Sequence, residues 1–320
     1  MRVVLDSGRR VAVHRTATRT AWHASESREE QVVVLCHSAP GAGAFDPDPE
    51  VTQGRNVRLL SIDRPGYGRS DPVAAGQWAT VASAADDLAA VLDSLQAERV
   101  GVVGWSAGGR VALALAARRP DLVSRLVVVA TPAPDDELPW ISEGEREALE
   151  RLRDVPPAEA HAALCQRLGE VVPADPFGPD ALWLLGAGPT DEPVLRAPGA
   201  RARLGQMLKA AFAEGARGLA ADIAGYCLRP WGFEPAAVEA KTLLLYGSHD
   251  PIAGPRHGRW WHAQLPDAHL EVAPGAGHLL VIPMWARVLE HLVPEGPRLH
   301  AVDGSWNAGR DDDVEEFSAA

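Results

Sequence analysis

Three side chains in this 320-residue sequence have the types and the chain order that acyl transfer requires: Ser106, Asp250 and His278. A serine hydroxyl is a weak nucleophile unless a base takes its proton and a carboxylate holds that base in the right tautomer. Ser106 is the centre of Gly104-Trp-Ser-Ala-Gly108, a G-x-S-x-G between a β-branched run and a small-residue helical run. In so tight a strand-to-helix turn the serine is presented at the strand tip, and flanking glycines avoid collisions with the neighbouring chain. Asp250 lies in Tyr246-Gly-Ser-His-Asp-Pro251 and His278 in Pro274-Gly-Ala-Gly-His-Leu279, each just after an apolar run. The order serine, acid, histidine is that of G-x-S-x-G enzymes. Asp250 before Pro251 also reads as a turn former, which leaves Asp135 and Asp136 as alternative acids. His37 precedes the serine and reads as a brace for its own loop, while His249, His257, His262 and His269 read as surface groups.

An oxyanion needs two preplaced N–H donors. Ala107, first in the helix after Ser106, would give one, where the helix dipole also favours negative charge. Ala39, in His37-Ser-Ala-Pro-Gly41, would give the other, with Ser38 as second choice. Aromatic residues would shape a substrate pocket: Trp105 beside the serine, with Trp140 and Trp183 further on and Ser38 at its mouth. Asp63-Arg-Pro-Gly-Tyr-Gly-Arg-Ser70 has neither the third glycine nor the helix of a phosphate loop, and reads as a structural turn.

These loops need strands to carry them. Apolar runs at Gln31–Cys36, 56–62, Val100–Val103, 125–130, 242–246 and 270–273 predict strands buried on both faces. Helical spacing predicts helices over 81–95, 257–265 and 284–292. Val3–Leu5 and Val11–His14, around Asp6-Ser-Gly8, predict a hairpin. From 133 to 233 the pattern changes to short helical segments punctuated by proline. The expected organisation is an α/β core of 1–132 and 234–295, a helical cap of 133–233, and an acidic, disordered tail of 296–320. Strands alternating with helices imply a mainly parallel sheet with helices on both faces, and ligands bind such sheets at strand carboxyl ends.

Composition narrows the classes. A net charge of −12 with no basic cluster excludes a nucleic-acid surface. No apolar run approaches membrane-spanning length, and the start has no leader-like apolar segment. Three scattered cysteines, Cys36, Cys165 and Cys227, indicate neither a disulfide framework nor a zinc site. The expectation is a cytoplasmic protein with no metal, no cofactor, no nucleic-acid or membrane partner, and a small-molecule substrate; oligomeric state is left open.

The motifs together resemble the α/β-hydrolase superfamily over roughly residues 1–293. His37 to Gly41 matches its H-G-x-P-G loop, Asp63 to Ser70 its D-x-x-G-x-G-x-S, and Gly104 to Gly108 its nucleophile turn. Gly247 to Pro251 and Gly277-His278 match its acid and histidine loops. Ser38 departs from the pattern, standing where glycine is usual. The resemblance implies a helical cap after the sixth strand and a capped serine hydrolase acting on an ester, thioester or lactone of a small, mostly apolar substrate. A C–C bond hydrolase or cyclase on the same residues, and a non-catalytic ligand-binding protein, are the competing readings.

Overall fold

In the computed structural model residues 1–16 and 31–294 are described. The acidic tail and most of the polar stretch 16–30 lie outside the described residues. Eight strands form one sheet: β1 Arg2–Val4, β2 Arg10–Arg15, β3 Gln31–Cys36, β4 Val57–Ile62, β5 Val100–Trp105, β6 Val123–Val129, β7 Lys241–Gly247 and β8 Ala268–Ala273. Their order is β1-β2-β4-β3-β5-β6-β7-β8. β1 and β2 form the antiparallel hairpin, β2 also pairs antiparallel with β4, and every other pairing is parallel. All six residues of β5 are buried. Successive strand side chains point to opposite faces, so helices must cover both. Val81–Ser94 packs on Ala107–Arg118, Trp285–Leu292 on β5 and β6, and Pro255–Gln264 on β7 and β8.

The order reverses at β3, which lies between β4 and β5 with Cys36 opposite Gly104. The loops after β3 and β5 therefore diverge from adjacent strand ends and leave a crevice between them. His37 to Gly41 and Ser106 occupy those two loops.

Between β6 and β7 the chain forms the cap helices Glu143–Glu150, Pro157–Gly169, Pro179–Trp183, Glu192–Arg196, Ala200–Ala211 and Arg217–Leu228. Leu149, Leu164, Ala220, Ala224 and Leu228 make a small apolar cluster of their own. Leu182, Leu185, Leu204, Met207 and Leu208 instead join the main core, so this part of the cap shares the core of the sheet. Arg217–Leu228 presses directly onto the core: a Cβ at Gly225 would collide with the Ala79 carbonyl. Sequence periodicity does not pick out this helix, nor Pro49–Gly54 or Glu192–Arg196.

Candidate active site

Ser106 holds φ 54° and ψ −124° between β5 and the helix Ala107–Arg118. Non-glycine residues rarely adopt that geometry, and it persists only when the surroundings enforce it. Its amide donates to Val129 O at 2.8 Å, and its carbonyl accepts from Thr131 Oγ1 at 2.9 Å. A Cβ at Gly108 would collide with the Cys36 carbonyl, so the helix reaches the end of β3 only because that residue is glycine.

His278 Nε2 lies 3.0 Å from Ser106 Oγ, and His278 Nδ1 lies 2.8 Å from Asp250 Oδ2. The other Asp250 oxygen accepts from the amides of Ile252 and Ala253 at 2.8 and 2.9 Å. Burial pushes this carboxyl up, but the facing imidazole and those amides outweigh it and hold its pKa below the usual carboxylate value. Asp250 is therefore ionised and oriented toward the ring. Asp135 is committed elsewhere, accepting from the amides of Trp140 and Ile141 and from Arg146 at 2.7 to 2.8 Å.

Ala39 and Ala107 line the same cavity as Ser106 and His278. Among the described residues neither amide donates to a protein acceptor. Ser38 also lines the cavity, but its hydroxyl donates to Pro40 O at 2.8 Å and so braces the loop. His37 is buried, its Nδ1 donating to Ser38 O at 2.8 Å and its Nε2 accepting from the Arg64 amide at 3.4 Å. Burial, then the neighbouring Arg64 charge, hold its pKa well below the histidine range, which keeps it neutral.

The cavity has a volume of about 310 Å³ and mainly apolar walls, including Leu149, Leu164, Leu185, Ile223 and Ile252. Trp140 lines it; two other tryptophans expected there do not. Trp105 ends β5, where strand alternation turns it into the core, and its indole N–H donates to the His278 carbonyl at 3.1 Å. Trp183 is 72% exposed, at the end of a five-residue cap helix. The surface reading of His257 is corrected too: it is fully buried, its Nδ1 accepts from the Ala133 amide at 3.1 Å, and burial with Arg256 lowers its pKa to about 4.

Two cap carboxylates that sequence reasoning missed reach the core loops. Asp222 pairs with Arg64, whose Nη1 and Nη2 donate to the carbonyls of His37 and Ser38 at 2.5 and 2.8 Å. Asp191, fully buried, accepts from the amide of Leu279, next to His278, at 3.0 Å and from Gly188 at 2.9 Å. An Asp191→Ala variant leaves both amides without this acceptor. It should lose about 1–3 kcal/mol of stability, measured by denaturant unfolding. The only available signal was position: Arg64 follows β4, the neighbour of β3 in the sheet.

This architecture and strand-end geometry define an α/β-hydrolase. The sequence profile of the alpha/beta hydrolase fold matches residues 31–283, and the chain belongs to that family. A 2-hydroxy-6-oxononadienedioate/2-hydroxy-6-oxononatrienedioate hydrolase of Cupriavidus pinatubonensis is 38% identical over 121 residues, 36% of this chain and 41% of that protein. An uncharacterized Mycobacterium tuberculosis protein is 30% identical over 233 residues, covering 69% of this chain and 62% of its own. The chain thus spans less than two thirds of the length of these relatives. A crystal structure of a Pseudomonas aeruginosa hydrolase shares the fold with TM-score 0.65 at 23% identity, covering 92% of this chain and 97% of that one.

Proposed function

We propose that the protein is a serine hydrolase that forms an acyl-enzyme on an ester, thioester or lactone of a small, mostly apolar substrate. The observation that carries this is the unbroken relay from Asp250 through His278 to the Ser106 hydroxyl, opening onto an apolar cavity. His278 takes the Ser106 proton as Oγ attacks the carbonyl, and the imidazolium formed is stabilised by Asp250. The unengaged amides of Ala39 and Ala107 receive the negative oxygen. His278 then returns the proton to the leaving group, and water repeats the sequence to release the acid. No step calls for a metal or cofactor. Among the described residues no helix is long and apolar enough to cross a membrane.

A fluorophosphonate probe should add one equivalent of mass at Ser106 and nothing to a Ser106→Ala variant, read by intact mass and peptide mapping. A folded protein that takes up no label would count against this reading. The Cupriavidus relative supports one alternative, C–C bond hydrolysis on the same residues. Hydrolysis of activated esters with an acyl-enzyme burst favours the first reading, and its absence favours the second.

A further inference from the structure

Arg110, one helical turn after Ser106, is only 3% exposed and lines the cavity that Ser106 and His278 line. It also lines a second cavity of about 670 Å³, with Trp140, Tyr226 and Cys227 common to both walls. Its guanidinium carbon lies 4.6 Å from the Trp231 ring centre and 5.4 Å from that of Trp140. Those contacts use its charge but supply no hydrogen-bond acceptor to its N–H groups. Nε is buried with no hydrogen-bond partner, and among the described residues no carboxylate pairs with the group. The acids around it are engaged elsewhere: Asp222 with Arg64, Asp250 with His278, Asp135 with Arg146, and Glu145 with Ser142 and, at 4.0 Å, Arg167. Burial accordingly lowers the Arg110 pKa. A buried charge is normally paired, so this one calls for an anion that the described residues do not supply.

We propose that the cavity takes a substrate bearing a carboxylate, which Arg110 binds through its N–H fork while the bond to be cleaved lies at Ser106. A guanidinium meets a carboxylate through two parallel N–H···O bonds, which supply orientation as well as affinity. The apolar walls take the carbon chain between the two ends. The substrate half of this proposal rests on the hydrolase reading; the binding half does not.

The test uses matched esters: 4-nitrophenyl hydrogen glutarate, and its analogue with the free carboxyl capped as a methyl ester. The wild-type kcat/KM should favour the free acid by about tenfold or more, the size expected of a charge-assisted hydrogen-bonded pair. In Arg110→Met that ratio should fall to near one, and Arg110→Lys, a point charge without the fork, should keep part of it. A wild type that cleaves both esters equally, or an Arg110→Met that slows both by the same factor, overturns the carboxylate site and leaves the hydrolase reading standing. Calorimetric binding of hexanoate and hexanamide to the full-length Ser106→Ala protein separates the other case. Tighter binding of hexanoate, lost in the Ser106→Ala, Arg110→Met double variant, upholds the site even if no ester is hydrolysed. Equal binding of acid and amide overturns it.

Discussion

Replacing His278 by alanine should lower kcat for an activated ester by roughly 10⁴- to 10⁶-fold, the loss seen when a serine-hydrolase relay is broken at its base. The ring is the only group within hydrogen-bond distance of the Ser106 hydroxyl among the described residues, so no neighbour takes over. Asp250→Asn should cost about 10⁴-fold with the fold intact. An amide nitrogen placed toward Nδ1 turns the ring into the tautomer that cannot accept the Ser106 proton. The double variant should be little worse than His278→Ala, since the side chains act as a unit, and single-turnover kinetics on the three proteins checks this. The depressed pKa of Asp250 adds a sign. Its ionised form stabilises the fold in full above the unfolded value of about 3.9, and that contribution is lost as pH falls through its lower folded value. In Asp250→Asn the acid limb of the stability-versus-pH curve should be shallower. A multiplicative double variant would mean that the two side chains do not work through one proton.

Features carried by short local signals were legible in the sequence. Ser106 announces itself because a strand, a glycine-bounded turn and a small-residue helix are consecutive, and their steric demands are local. The loops of Asp250 and His278 follow β7 and β8, whose apolar runs mark strand ends without any tertiary information. What the sequence hid depends on packing between distant segments. Arg217–Leu228 is apolar around most of its circumference because it is covered by cap helices on one side and by the core on the other. It therefore lacks the one-sided stripe by which an amphipathic helix is recognised. Asp222, inside it, looks like an ordinary polar break, and only the fold shows that it meets Arg64 from 158 positions away. Trp105 misled by adjacency: a neighbour in sequence at a strand end faces the opposite way, and its part is to hold the His278 carbonyl. His257 misled by composition, because a helix rich in polar residues carries it on a buried face beside Gly258 and Trp261.

Asp222→Ala should be the most damaging single change in the cap, lowering stability by about 3–5 kcal/mol and the melting temperature by on the order of 10 °C. Arg64 and Asp222 are both nearly inaccessible, so removal of the carboxylate strands a buried guanidinium whose remaining described partners are the carbonyls of His37 and Ser38 and the faces of Tyr67 and Tyr226. Burial works against the charged arginine and Asp222 outweighs it, the net effect being a raised pKa. The same guanidinium fixes the loop that presents the Ala39 amide, so the damage should reach the chemistry. Asp222→Asn separates the two consequences, because the amide oxygen still accepts from Arg64 while the charge is gone. It should melt at an intermediate temperature and react with a fluorophosphonate about ten- to a hundredfold more slowly, less than the roughly 10²- to 10³-fold cost of removing an oxyanion donor outright. Its KM for a neutral ester should change far less than kcat, since in the proposed mechanism the loop acts on the developing oxyanion and not on the apolar walls. Equal loss in kcat and KM would assign the pair to cap docking alone. Labelling at the wild-type rate despite a lowered melting temperature would uncouple the clamp from the oxyanion loop.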